Sequence, residues 1–153
     1  MSDELVASAL DDYLHEVDRM VRENRNHEGW TYQTYEGLIL DKGQHYTEVE
    51  YQRFGDYKMC FANSWLASAA TGWDYVEGYA WSAGLIPVLH AWCVDETGRV
   101  IETTWDFRVT LYRGLVIPTH VMIESMMDTG KTGLLAGDWE RGFPLLREGA
   151  TWL

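Results

Sequence analysis

Apolar positions between residues 2 and 24 recur at helical spacing: Leu5, Ala9, Leu14, Val17 and Val21 fall near one stripe. Ser2 is placed to cap this helix, acidic residues crowd its first turns, and the polar run from Asn24 to Gly29 ends it. Residues 30–57 mix aromatic and polar side chains without a sustained period. A short helix near 32–40 and a strand near 45–54 are the expectation there. Residues 61–70 hold no Gly or Pro and are rich in Ala, so they read as a helix, with Asp56 near its start and Thr71-Gly72 at its end. Cys60 falls in its first turn.

Strand signals follow at 75–81, 87–94 and 99–105, the last two joined by Asp95-Glu96-Thr97-Gly98, a short hairpin turn with glycine where a positive φ is needed. Val109–Tyr112 and Gly114–Ile117 suggest a further strand before Pro118. Residues 119–128 look helical, with Val121, Met122, Ser125 and Met126 at helical spacing and Met122, Met126 and Met127 read as core. The Gly-rich stretch 130–149 reads as loop with one turn of helix. Neither a repeat nor a linker divides the chain, so the expectation is a single α+β domain over 1–153.

Composition narrows the function classes. Twenty-four Asp and Glu against 12 Lys and Arg give a net charge of −12, yet 46% of the residues are hydrophobic, with 8 Trp, 9 Tyr and 4 Phe. That is material for a core, which excludes a disordered acidic tail. The acidity argues against direct nucleic-acid binding, which needs clustered Lys and Arg, and suits a basic protein partner. The start Met1-Ser2-Asp3-Glu4 is acidic where a secretory signal would be basic, and no apolar run reaches membrane-spanning length. The expectation is therefore a cytoplasmic protein without membrane attachment, with Cys60 and Cys93 as thiols.

The order of a helix-borne Cys, a strand His and an acid on the next strand carries the chemistry. A helix N-terminus favours thiolate, which would depress the Cys60 pKa, and His90 on its strand could take the thiol proton. If Val94 pairs with Val100 across the hairpin, Trp92 faces Glu102 and His90 faces Thr104. All even positions then share one face. Glu102 lies diagonally beside His90, and Asp106 is the alternative acid. Cys93 has the opposite parity and reads as a packing residue. Metal binding is rejected, because His90 and Cys93 point to opposite faces and no zinc spacing occurs. Gly130-Lys131-Thr132 has Ser125 where a phosphate loop needs its first glycine, and it reads as a solvated loop.

His90-Ala91-Trp92 followed by Val100-Ile101-Glu102-Thr103-Thr104-Trp105 resembles the His-Ala-Trp and Val-Ile-Asp-Pro-Thr-Trp pattern of the transglutaminase-like branch of papain-like cysteine enzymes. Cys60 and Gly78-Tyr79 match its upstream elements, and the likeness covers roughly 57–118. Glu102 stands where that branch has Asp, and Thr103 where it has Pro. The resemblance implies N-terminal helices with the nucleophile helix packed on an antiparallel sheet. It also implies a cofactor-free peptidase, deamidase or transglutaminase acting on a protein or peptide, with Cys60 as nucleophile, His90 as base and Glu102 orienting it. Gln52 and Asn63 are the candidates for oxyanion or substrate contacts. The departures and the charge together support a second class, an inactive acidic inhibitor on the same fold, of the phage-encoded kind, acting on a basic protein.

Overall fold

A computed structural model describes residues 3–82, 84–109 and 111–153, with side chains from residue 7 onward. The N-terminal helix α1 runs Asp3–Asn24. Its expected cap, Ser2, and the Leu5 side chain lie outside the described residues. The stripe it buries differs by one position from the expected one: Leu10 and Leu14 are fully buried, whereas Ala9 is exposed. Helix α2 (Tyr35–Lys42) is capped by Thr34, whose hydroxyl accepts the Gly37 N–H. The expected strand near 45–54 is two three-residue strands, β1 (Gln44–Tyr46) and β2 (Val49–Tyr51).

Helix α3 (Cys60–Thr71) starts at Met59 without a side-chain cap and stops at Gly72, whose φ of 81° is the left-handed turn glycine supplies at no steric cost. Asp56 contributes a backbone carbonyl to the Met59 N–H, not a carboxylate cap. Then come β3 (Asp74–Trp81), β4 (Val88–Val94), β5 (Val100–Glu102) and β6 (Leu111–Val116), followed by α4 (Thr119–Thr129). The segment after it is more ordered than expected. It holds α5 (Leu134–Gly137), a 3-10 turn (Asp138–Arg141) and α6 (Pro144–Glu148), which bury Leu134, Leu135, Leu145 and Leu146.

One six-stranded sheet runs in the order β1-β6-β3-β4-β5-β2. It is mixed: β2 lies parallel to β5, against the all-antiparallel expectation, and the other pairs are antiparallel. The edge strands β1 and β2 are joined by Thr47-Glu48 alone. A two-residue link cannot cross a flat sheet of this width, so the sheet curls until its edges meet. Tyr46 of β1 accordingly packs edge-on against Trp92 of β4, with centroids 6.3 Å apart.

The two faces of this curled sheet bury different sets of residues. Odd positions Tyr75, Tyr79, Ala91, Leu111 and Leu115 face outward and pack under the helices with Leu10, Leu14, Leu38, Ile39 and Met122. Even positions Val76, Ala80, Trp92, Val94, Val100 and Tyr112 fill the concave inside. Gly78 and Gly114 pair directly across β3 and β6 on that inner face. A Cβ on Gly114 would lie 2.6 Å from the Glu77 carbonyl oxygen and 2.8 Å from the Trp92 ring, so the strand and the indole together require glycine there. Met122 is buried as expected, but Met127 is 82% exposed, because α4 turns that side to solvent.

Candidate active site

The hairpin register matches the parity argument: Val94 pairs with Val100 and Cys93 with Ile101. Continued, it would pair Ala91 with Thr103. Instead β5 ends at Glu102, whose Oε2 accepts the N–H groups of Thr104 (2.9 Å) and Trp105 (3.0 Å) and turns the chain out of the ladder. Cys60 takes the vacated place. The Ala91 N–H, directed away from β3, faces the Cys60 sulfur, as does the Phe61 N–H of the helix's own first turn. The thiol thus sits in the seam where β4 and β5 part, half-buried, beside the residue that follows His90.

His90 and Glu102 meet on the inner face, both fully buried. Glu102 Oε1 lies 2.6 Å from His90 Nε2 and accepts the Tyr112 hydroxyl at 3.0 Å. Burial pulls the Glu102 pKa upward, but the His90 hydrogen bond and charge with the Trp105 and Thr104 N–H groups outweigh it, and the net shift is downward. An ionised carboxylate can only accept, so His90 donates to it through Nε2, which leaves Nδ1 as the other ring nitrogen. That Nδ1 is buried and has no hydrogen-bond partner. The imidazole stacks flat on Trp105, with centroids 3.5 Å and planes 9° apart, and Trp105 stacks in turn on Phe107. Its Nε2–H and its plane are therefore both held.

The thiol departs from expectation. Burial pushes the Cys60 pKa up to about 11, and the Glu102 and Glu77 charges add to the rise against the two backbone N–H groups. Helix α3 starts at the thiol, but desolvation outweighs the dipole, so the resting group is a neutral thiol and not the depressed one anticipated. It makes no hydrogen bond to His90 Nδ1.

Of the remaining candidates, Asp106 is exposed beyond the end of β5 and is not joined to His90. Gln52 is exposed after β2, with its backbone N–H on the Glu102 carbonyl. Asn63 is buried and spends its amide donors on the Asp56 carbonyl (2.8 Å) and Thr104 Oγ1 (3.1 Å), bracing the segment before α3 against the one after β5. Cys93 faces the other way, packed with Ala67 and Ile101, and donates its S–H to the Ser64 carbonyl. Tyr112 and Trp105 escaped the sequence reading as site residues. Both were within reach of it: Tyr112 has the even parity of the inner face, and Trp105 closes the hairpin motif.

Among the described residues, no group of three or more His, Cys, Asp or Glu side chains is arranged to hold a metal ion, and no helix is long and apolar enough to cross a membrane. No protein-family model, curated protein or solved structure matches the chain.

Proposed function

We propose that the chain is a cysteine-dependent amide hydrolase or acyltransferase, of peptidase, deamidase or transglutaminase type, on a papain-like, transglutaminase-like fold. The observation that carries the reading is the buried His90–Glu102 pair. One ring nitrogen is bound at 2.6 Å, the other has no partner, and the adjacent backbone N–H faces the Cys60 sulfur. Because the resting thiol is neutral, attack is coupled to proton transfer rather than made by a standing thiolate. Cys60 Sγ bonds to the amide carbonyl carbon as its proton passes to His90 Nδ1. The C–N bond then breaks, the proton goes to the leaving nitrogen, and a thioester remains for water or an amine to resolve. Glu102 holds the ring in the tautomer that accepts this proton. The missing thiol–imidazole hydrogen bond fits a resting site, since such contacts tighten once substrate is seated.

The test uses p-nitrophenyl acetate, which needs no knowledge of the natural substrate. One equivalent of p-nitrophenolate should appear in a burst, with a 42 Da mass gain (about the mass of an acetyl group replacing hydrogen) on Cys60. Cys60→Ala and His90→Asn should abolish the burst, and Cys93→Ala should keep it. A burst that survives Cys60→Ala ends the proposal. The second reading, a non-catalytic acidic binding protein, draws on the raised thiol and the fully buried histidine. A folded wild-type protein that never acylates would favour it.

A further inference from the structure

Three connections converge at the end of the sheet that holds the thiol: residues 52–59 before α3, 82 and 84–87 between β3 and β4, and 103–109 between β5 and β6. They are tied together. The Ser82 hydroxyl donates to the Arg108 carbonyl at 2.7 Å, the Phe54 N–H to the Thr103 carbonyl at 2.9 Å, and Asn63 bridges Asp56 to Thr104. These connections expose an unusual share of large apolar side chains: Phe54, Tyr57, Met59, Leu85, Ile86 and Phe107, with Ile86 69% and Leu85 62% exposed. Large apolar side chains exposed together at one end of a sheet point to a surface that receives something.

The charge of the same connections differs from that of the rest of the chain. They carry Arg53, Lys58 and Arg108 against Asp56 and Asp106, a net +1 in a chain of −12. The acidic excess therefore lies outside these connections, which as a set do not favour a cationic segment. Trp105 covers one face of the buried His90 ring and Phe107 covers Trp105, so that face is closed. Cys60 opens α3 directly after the first of these connections, so residues flanking an amide presented to it would lie against them.

We propose that the mouth around Cys60 receives an uncharged, apolar peptide segment, so that the amide acted on is flanked by hydrophobic side chains and not by basic ones. The proposal rests on the acyl-transfer reading, and binding measured without turnover separates the two. Isothermal titration of the Cys60→Ala protein would use three N-acetylated, C-amidated hexapeptides: Gly-Leu-Phe-Ala-Leu-Gly, Gly-Ser-Ser-Ala-Ser-Gly and Gly-Lys-Lys-Ala-Lys-Gly. The first should bind at least ten-fold more tightly than the other two. Adding Ile86→Ser and Phe107→Ser, both at exposed positions, should weaken it about ten-fold, whereas Met127→Ser on the outer face of α4 should leave it unchanged. Equal affinities, tightest binding of the lysine peptide, or indifference to the mouth pair would overturn the assignment even with the acylation burst intact. A selective apolar preference in a protein that fails to acylate would uphold the mouth and refute the chemistry.

Discussion

Replacing Glu102 separates what its charge does from what its shape does. Its two oxygens take four donors, His90 Nε2 and the Tyr112 hydroxyl on Oε1 and the Thr104 and Trp105 N–H groups on Oε2. Glu102→Ala strands all four in a fully buried site. Each orphaned donor costs about 1–3 kcal/mol, and the losses are not additive. Glu102→Gln keeps one oxygen. That oxygen must stay on the two backbone N–H groups, which cannot change role, so the amide NH2 turns toward His90 and Tyr112. The Tyr112 hydroxyl can rotate to accept, and His90 can accept on Nε2 by moving its proton to Nδ1. Glu102→Gln should therefore cost only about 1–2 kcal/mol in equilibrium unfolding by urea. It should nevertheless abolish the acylation burst, because the base now carries a proton where a lone pair is needed. Long-range 15N–1H correlation spectra of the ring distinguish the tautomers directly. An unchanged Nε2–H tautomer in Glu102→Gln, or a burst of wild-type size, would refute the reasoning.

The same carboxylate sets an acid limb. Its folded pKa lies below the ordinary 4.5, so between the two values the unfolded chain binds more protons. The stabilisation is complete above the unfolded value and is lost as pH falls through the folded one. Wild-type stability should accordingly drop more steeply than that of Glu102→Gln on acidification below about 4.5, and parallel unfolding curves from pH 6 to 3 would contradict this. Alkylation by iodoacetamide should be slow at neutral pH for both cysteines and rise toward about 11 for Cys60 and about 12 for the fully buried Cys93. A Cys60 midpoint below about 8.5, the value of a free cysteine, would show that burial does not dominate the thiol. Gly114→Ala forces a methyl to within 2.8 Å of Trp92, so it should cost about 1–3 kcal/mol and perturb indole fluorescence. Native fluorescence and stability would mean that the inner face has slack.

What the sequence made legible was whatever short-range chemistry controls. The Asp95–Gly98 turn sets the hairpin register, and the Asp95 carboxylate fixes it by accepting from Thr97 and Arg99. From that register alone, parity brings His90 and Glu102 to one face. Strand and helix lengths set by distant partners were not legible. β5 stops at Glu102, where its own carboxylate takes the Thr104 and Trp105 N–H groups, and the thiol from α3 that fills the next rung is not announced by residues 100–105. β1 and β2 are three residues each, too short for an alternation to register. The C-terminal helices, punctuated by Gly133, Gly137, Gly142 and Gly149, persist because the sheet supplies their partners. Glu77 alone accepts the Leu134 and Leu135 N–H groups at 2.7 and 2.9 Å. The thiol's raised pKa is illegible for the same reason: a helix start is visible in sequence, whereas desolvation is a property of the assembled seam.

The two-residue connection at Thr47-Glu48 also bears on how the chain is made. Gln44 must find Gly114 and Val49 must find Val100, so neither edge strand has a local partner on which to wait. As the polypeptide leaves the ribosome, α1 and α2 emerge first, but the ring of strands cannot shut until β6 has been synthesised. Until then β6's and β5's outer edges stay open to mispairing, a hazard the finished molecule hides by tying both edges with one short strap. Edge closure is then a late event, and a nascent chain truncated before Leu111 should lack both the β1–β6 pairing and the Tyr112 hydroxyl on Glu102.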